Sequence, residues 1–242
     1  MRSSMKWPKT AQVPPSRSNG SAKTCCCADM EYWLEILPPI AQGFKTSLTV
    51  YLLTMALALP LGLVLGLLAD MVKPARPIIG VFTWIIRGTP LLLQLYVTMY
   101  AIPLLIPMRM DRFFAGTVTF VINYAAYFAE IFRSGLAIIP LGQWQAGQVL
   151  GLKKREIIFN IILPQMFRNT LLPLINEAIT LVKDTSLLAA IAIGEMLRNA
   201  KEIVGKDLRV DALVIAGIFY LLFSFMVVSV GKRLEKTYLK QM

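Results

Sequence analysis

Five polar residues interrupt an apolar run in the last third of the chain: Asn176, Glu177, Thr180, Lys183 and Asp184. On a helix turning about 100° per residue they share an arc of about 120° with Pro173. Leu174, Ile175, Ala178, Ile179, Leu181 and Val182 take the rest of the circumference. Such a face has two carboxylates to meet a cation and an ammonium to meet an anion. Asn176, Thr180, Thr185 and Ser186 add neutral hydrogen-bonding groups. A charge aimed at lipid costs about 2.5–3.5 kcal/mol at mid-membrane, so this arc must face protein or a water-filled path. That makes these seven polar residues candidates for a substrate pathway. A structural alternative is that Lys183 neutralises Glu177 or Glu130, and that Asp184 or Thr185 caps the next helix.

Other chemistry has little to work with. The chain has no histidine, which removes the commonest general base and metal ligand. Its three cysteines are consecutive, Cys25 to Cys27, and form neither a disulfide framework nor a spaced metal site. No G-x-x-x-x-G-K-[ST] phosphate loop occurs, so no ATP site is expected in this chain. No cofactor or metal is expected, and nothing pairs convincingly for an intramembrane enzyme.

The elements that must position the arc are membrane helices. Only 16% of the 242 residues are charged and the mean hydropathy is +0.61, against about 25% charged in soluble domains. The net charge of +11 fits cytoplasmic loops and anionic lipid rather than nucleic acid, for which no polar domain is long enough. Uncharged runs predict spans at 46–69, 88–108, 113–133 and 212–231, with a fourth in chain order at 169–192. These five predict an all-α integral membrane protein. Gly62 and Gly66, four apart, allow a close helix contact, and Pro60 a bend. A transporter built of inverted repeats would show matching interrupted helices in its two halves, and none is visible.

Basic residues set the expected orientation. Lys73, Arg76 and Arg87, then Arg133, Lys153, Lys154 and Arg155, then Lys232, Arg233, Lys236 and Lys240 fall on one side if the N-terminus is outside and the C-terminus cytoplasmic. Residues 1–29 are polar, rich in Pro and Ser, and read as a disordered extension. Their basic residues conflict with an outside N-terminus, so a start near Met30 is expected, with 30–242 as the membrane domain.

Residues 134–164 then form a cytoplasmic loop. Leu141 to Leu150 can make a short helix, Gly151 a sharp turn, and Pro164 a bend or break at the membrane boundary. Within it, Gln145-Ala146-Gly147 is followed after three residues by Gly151, and nine residues later by Ile161, Leu163 and Pro164. This register resembles the loop motif of bacterial ABC importer permeases: Glu-Ala-Ala, three residues, Gly, nine residues, Ile-x-Leu-Pro. Gln145 and Gly147 depart from it in residue type. Arg87-Gly-Thr-Pro-Leu91, Gln94, Phe128-Ala-Glu130, Arg133-Ser-Gly135, Gly142-Gln143, Leu163-Pro-Gln165, Arg168 and Lys183-Asp-Thr-Ser-Leu187 look like signatures of the polar amino acid subfamily, and the match covers about Met30 to Lys236.

The resemblance implies a non-catalytic permease subunit that carries a polar amino acid inward across the bacterial cytoplasmic membrane. It implies two copies of an ABC-type ATPase docking on the loop, a second permease chain (a copy or a sister) and an extracytoplasmic binding protein. Gln145, Ala146, Gly147, Gly151, Ile161, Leu163 and Pro164 would be the coupling residues. An amino acid brings an ammonium for Glu177 and Asp184 and a carboxylate for Lys183.

Overall fold

The computed structural model describes residues 22–106 and 109–239, and side chains from Tyr32 to Thr237 within that range. Two compact units divide the chain, one ending at Leu37 and one starting at Pro38. The first contains, among the described residues, only helical backbone from Ala22. The expectation for residues 1–21 lies outside the described residues. Residues 22–29 differ from the sequence reading: they are helical and belong to the first element, α1 (Ala22–Met71).

The remaining elements are α2 (Ala75–Gly88), α3 (Leu91–Tyr96), a π-helical turn (Val97–Ala101), α4 (Ile102–Leu105) and α5 (Arg112–Ala137). Then come α6 (Leu141–Val149), α7 (Lys154–Ile157), a second π-helical turn (Ile158–Ile162), α8 (Leu163–Asp184), a 3-10 helix (Thr185–Ile191), α9 (Met196–Asp207) and α10 (Asp211–Leu239). No strand occurs among the described residues. Four helical stretches are long and apolar enough to cross a membrane: Tyr32–Met71, Arg112–Ala137, Lys154–Ile191 and Asp211–Thr237. A fifth is the pair Ala75–Gly88 and Leu91–Leu105, bent by 100°.

Several boundaries move from the expected ones. Residues 70–87, between the first two expected spans, hold α2, and the second span enters through a sharp bend at Gly88 and Pro90. Thr89 is extended (φ −114°, ψ 143°) because the ring of Pro90 disfavours the helical conformation in the residue before it. The expected loop at 134–164 is mostly helical. Pro164 does not break the chain, since the helix passes from α7 through a π turn into α8. A proline in a helix clashes with the carbonyl four residues back, here Asn160, and the wider π turn at Ile158–Ile162 relieves it. Pro103 follows the Val97–Ala101 π turn in the same way. The stretch read as a span at 169–192 therefore starts at Lys154, and α10 continues past the expected end at 231.

The core is organised on α5. The side chain of Asp111 caps it, accepting from the backbone N–H of Phe113 at 3.0 Å and Phe114 at 3.3 Å. Phe120, Tyr124, Phe128 and Phe132 recur every four residues, form one face, and are fully buried or nearly so. The small residues of α1 bring it into backbone contact with α5. A Cβ at Gly62 would lie 2.5 Å from Phe128 Cβ, and one at Gly66 2.8 Å from the Ala129 carbonyl oxygen. The four-residue glycine spacing is thus a packing seam. Elsewhere on α5, Gly135 faces Thr170 of α8 and Gly116 faces Leu188. By contrast, Leu221, Leu222 and Phe225 of α10 are exposed, as expected for a lipid-facing stripe.

Candidate functional site

The break between α2 and α3 creates a polar problem, because it frees backbone carbonyls from the helical ladder and each needs another partner. Gln94 solves it. Its Nε2 donates to the Ile86 carbonyl at 2.7 Å, to Thr89 Oγ1 at 2.8 Å and to the Thr89 carbonyl at 3.3 Å. Its Oε1 accepts from Asn123 Nδ2 of α5 at 2.9 Å. The kink is thereby pinned to α5, and Arg87 is fixed at the end of α2. The Arg87 guanidinium lies over the Tyr127 ring, 5.2 Å from its centroid, a cation–π arrangement.

A cavity of about 530 Å³ opens at this kink, within the about 300–1,000 Å³ of small-molecule sites. Its polar walls are Arg87 and Thr89 from the kink, Asn123, Tyr124 and Tyr127 from α5, and Glu177, Thr180 and Asp184 from α8. Tyr124 donates its hydroxyl to Asp184 Oδ2 at 2.8 Å. The cavity therefore has one guanidinium and two carboxylates, with Arg87 in electrostatic reach of Glu177. A solute carrying both a carboxylate and an ammonium finds a partner for each.

The sequence-derived pathway residues divide. Glu177, Thr180 and Asp184 line the cavity. Asn176 and Lys183 do not; both are exposed on the other edge of α8, and Lys183 makes no ion pair among the described residues. Glu130 is paired with Arg133 instead, through both carboxylate oxygens. Thr185 is buried and donates to the Val182 carbonyl at 2.8 Å, and Ser186 is half-buried on the 3-10 helix. Neither Asp184 nor Thr185 caps the 3-10 helix with its side chain. Arg87, and not Lys183, is the cation that lines this cavity. Asn123, Tyr124 and Tyr127 were missed, although three polar groups within five residues of an otherwise apolar span were a visible signal.

The coupling-loop residues are held by local geometry. Gly151 is left-handed (φ +71°), the Leu152 N–H donates to the Gly147 carbonyl at 3.1 Å, and the Gly151 N–H to the Gln148 carbonyl at 3.0 Å. This double bond pattern is a Schellman termination of α6, which requires a residue tolerant of positive φ. Glu156 Oε2 accepts from the Lys153 N–H at 2.7 Å and starts α7. Gly147 is buried against Ile157, where a Cβ would come within 2.8 Å of Cγ1. Gln145 and Ala146 are exposed, as are Leu141, Val149 and Leu150. Ile161 and Leu163 are half-buried and Pro164 exposed where the helix leaves the loop.

The family of binding-protein-dependent transport system inner membrane components matches residues 58–240. The chain belongs to that family. Among its relatives, the L-cystine transport system permease protein TcyB of Bacillus subtilis (strain 168) is 31% identical over 229 residues, covering 92% of this chain and 96% of that one. The glutamine transport system permease protein GlnP of Escherichia coli (strain K12) is 35% identical over 207 residues, covering 83% of this chain and 93% of that one. A chain from the crystal structure of an amino acid ABC transporter with histidines superposes with a TM-score of 0.77 at 26% identity, covering 85% of this chain and 97% of that one. A chain of the inward-facing MetNI methionine ABC transporter superposes at 0.63 with 16% identity, a likeness of fold. The protein is thus a multi-pass permease of the inner membrane. It is non-catalytic and works with a separate ATPase and a binding protein.

One buried carboxyl of the permease lies outside the spans. Glu195 caps α9, accepting from the N–H groups of Leu197 at 2.8 Å and Arg198 at 2.7 Å, and from the Tyr220 hydroxyl at 2.8 Å. Burial pushes its pKa above the usual carboxylate range, against those three donors. A raised native pKa contributes stability that is full below the unfolded value of about 4.3 and lost as pH rises through the native value. The thermal midpoint in detergent is therefore expected to fall as pH rises through the window just above 4.3, and Glu195→Gln is expected to remove that segment of the profile.

Proposed function

We propose that the permease moves a polar amino acid inward through the cavity at the α2–α3 kink. The observation that supports this most directly is that Arg87 shares one cavity with Glu177 and Asp184. Arg87 receives the α-carboxylate by paired charge-assisted hydrogen bonds. Glu177 and the free oxygen of Asp184 receive the ammonium, while Tyr124 holds the other Asp184 oxygen. The relatives TcyB and GlnP are named for cystine and glutamine, and what those two share is the α-amino acid group.

In this reading the N-terminus is outside and the C-terminus cytoplasmic. Two ATPase copies dock on the α6 elbows of two paired permease chains, and an extracytoplasmic protein delivers the substrate. Asn176, Lys183 and Ser186 then face the path shared with the second chain. Gln145, Ala146 and the exposed Leu141, Val149 and Leu150 form the surface that the ATPase grips. ATP is held by that partner.

The test is to purify the tagged protein from its native membrane in mild detergent, identify what accompanies it by mass spectrometry, and reconstitute the recovered complex. An ABC-type ATPase and ATP-dependent uptake of an amino acid are expected. Recovery of this chain alone, in detergent that keeps other importers whole, would sink the proposal. Gly147→Val is expected to lift α6 off Ile157, at about 1–3 kcal/mol of overpacking. It should reduce the recovered ATPase about tenfold while the permease still elutes as a single species; unchanged recovery would remove the α6–α7 elbow from coupling.

A further inference from the structure

A second cavity of about 530 Å³ lies on the other side of Arg87, between α2, α5 and the end of α1. Its α2 wall is a helical stripe that includes Arg76, Thr83, Trp84 and Arg87, and α5 adds Glu130 and Arg133. Three guanidiniums therefore meet one carboxylate, and both oxygens of Glu130 are already taken by Arg133. Arg87 is engaged by Tyr127 and faces the substrate cavity. Arg76 is exposed and makes no ion pair among the described residues. Asp70 is also in electrostatic reach of Arg133, so the positive charge left over in the cavity rests chiefly on Arg76.

Space and apolar surface narrow the ligand. Gly80 sits in the stripe between Arg76 and Trp84, and a Cβ there would meet nothing within 4 Å. The α2 wall is open at its middle, with no protein group over it. Trp84 at the rim is 76% exposed, and Ile78 and Val81 of the same helix are exposed as well. A soluble anion has no use for that surface, whereas a lipid places its phosphate in the basic pocket and its acyl chains along the helix. Tryptophan favours the boundary between those two environments, and basic pockets between membrane helices suit anionic headgroups.

We propose that this cavity is a site for an anionic phospholipid, with its phosphate held by Arg76 and by the side of the Arg133–Glu130 pair that faces the cavity, and its acyl chain alongside Trp84. This cavity shares Arg87 and Gly88 with the one at the kink, but the phosphate sits on Arg76 and Arg133, and the site does not depend on which solute is carried.

The experiment is native mass spectrometry of the purified complex titrated with phosphatidylglycerol, with phosphatidylcholine of the same chains, or with inorganic phosphate. Phosphatidylglycerol is expected to bind at least tenfold more tightly than phosphatidylcholine. Arg76→Gln should reduce that preference at least fivefold by removing charge, and Gly80→Leu should do so by filling the open wall while leaving every charge in place. Both variants are exposed on α2 and are checked for a single elution peak; either one alone suffices for the comparison. Equal binding of the two lipids would overturn the proposal, as would full phosphatidylglycerol binding in a folded variant. Displacement of the lipid by millimolar inorganic phosphate would reassign the cavity to a soluble anion and overturn it as well.

Discussion

Arg87→Gln is expected to lower amino acid uptake at sub-saturating substrate by about 100-fold in proteoliposomes containing the intact transporter. The guanidinium is the only cationic group among the described residues lining the cavity at the α2–α3 kink, and two carboxylates share that cavity with it. A hydrogen bond to a charged group contributes about 1.5–3 kcal/mol. Losing a bidentate pair to the substrate carboxylate is then worth about 3 kcal/mol or more, and each 1.4 kcal/mol is tenfold. The glutamine also leaves Glu177 without the compensating charge of Arg87 at membrane depth. Arg87→Lys should be intermediate, because it keeps the charge and loses the planar fork. ATPase recovery should be unchanged in both, since α6 is elsewhere. Uptake at the wild-type rate in Arg87→Gln would remove this residue from recognition and leave the cavity's anion partner unassigned.

The second large effect is structural. Gly62→Leu is expected to prevent recovery of monodisperse protein. A Cβ at this position would lie 2.5 Å from Phe128 Cβ and 3.0 Å from both the Ala125 carbonyl oxygen and the Ala129 nitrogen. Two of those three atoms are backbone, so no side-chain rotation relieves the clash, and α1 must move away from α5. Overpacking that side chains can absorb costs about 1–3 kcal/mol; moving a helix off the central one of the fold costs more. The control is Gly217→Ala on α10, where a Cβ meets nothing within 4 Å. It should elute as wild type and melt no lower. If Gly62→Leu also elutes and melts as wild type, the seam between α1 and α5 is not close-packed.

These two residues show how far the sequence reaches. Gly62 and Gly66 were legible as a close-packing pair because helical spacing alone puts them on one face. What they pack against was not, since the partner, α5, is more than fifty residues away. Arg87 was visible within a turn signature but not as part of the site, because nothing local says that the end of α2 meets the polar face of α8. The arc on α8 was legible for the same reason as the glycine pair. Its division was not: Thr180, Asp184 and Glu177 occupy the edge turned toward Arg87 and Tyr124, and Asn176 and Lys183 the opposite edge. The angle between side chains on one helix is a property of that helix, whereas the direction of the arc is set by its neighbours.

The loop shows the same boundary. Gly151 at the left-handed position and the short helix before it follow from local conformational preference, so they could be read in advance. Of the bend or break expected at Pro164, the break does not occur: a proline removes one hydrogen bond wherever it stands, yet whether the helix breaks or widens depends on what holds the flanking turns. Here Ile157 and Ile162 are buried in the core, and the chain takes a π turn rather than leave it.

By itself, then, the sequence determined an all-helical membrane protein, the register of the loop motif, the polar face of α8 and the glycine seam, because each is written in apolar length or in spacing along one element. The bent entry at Gly88 and Pro90 was legible too, because Pro90 acts on the residue before it, but only the tertiary structure decided that residues 75–88 are a helix. It alone brought Arg87 to face Glu177 and Asp184, and set a second basic cavity on the other side of Arg87. Those features depend on side chains far apart in sequence closing on one another, as Gln94 does on Asn123 of α5, and no single stretch of chain determines that.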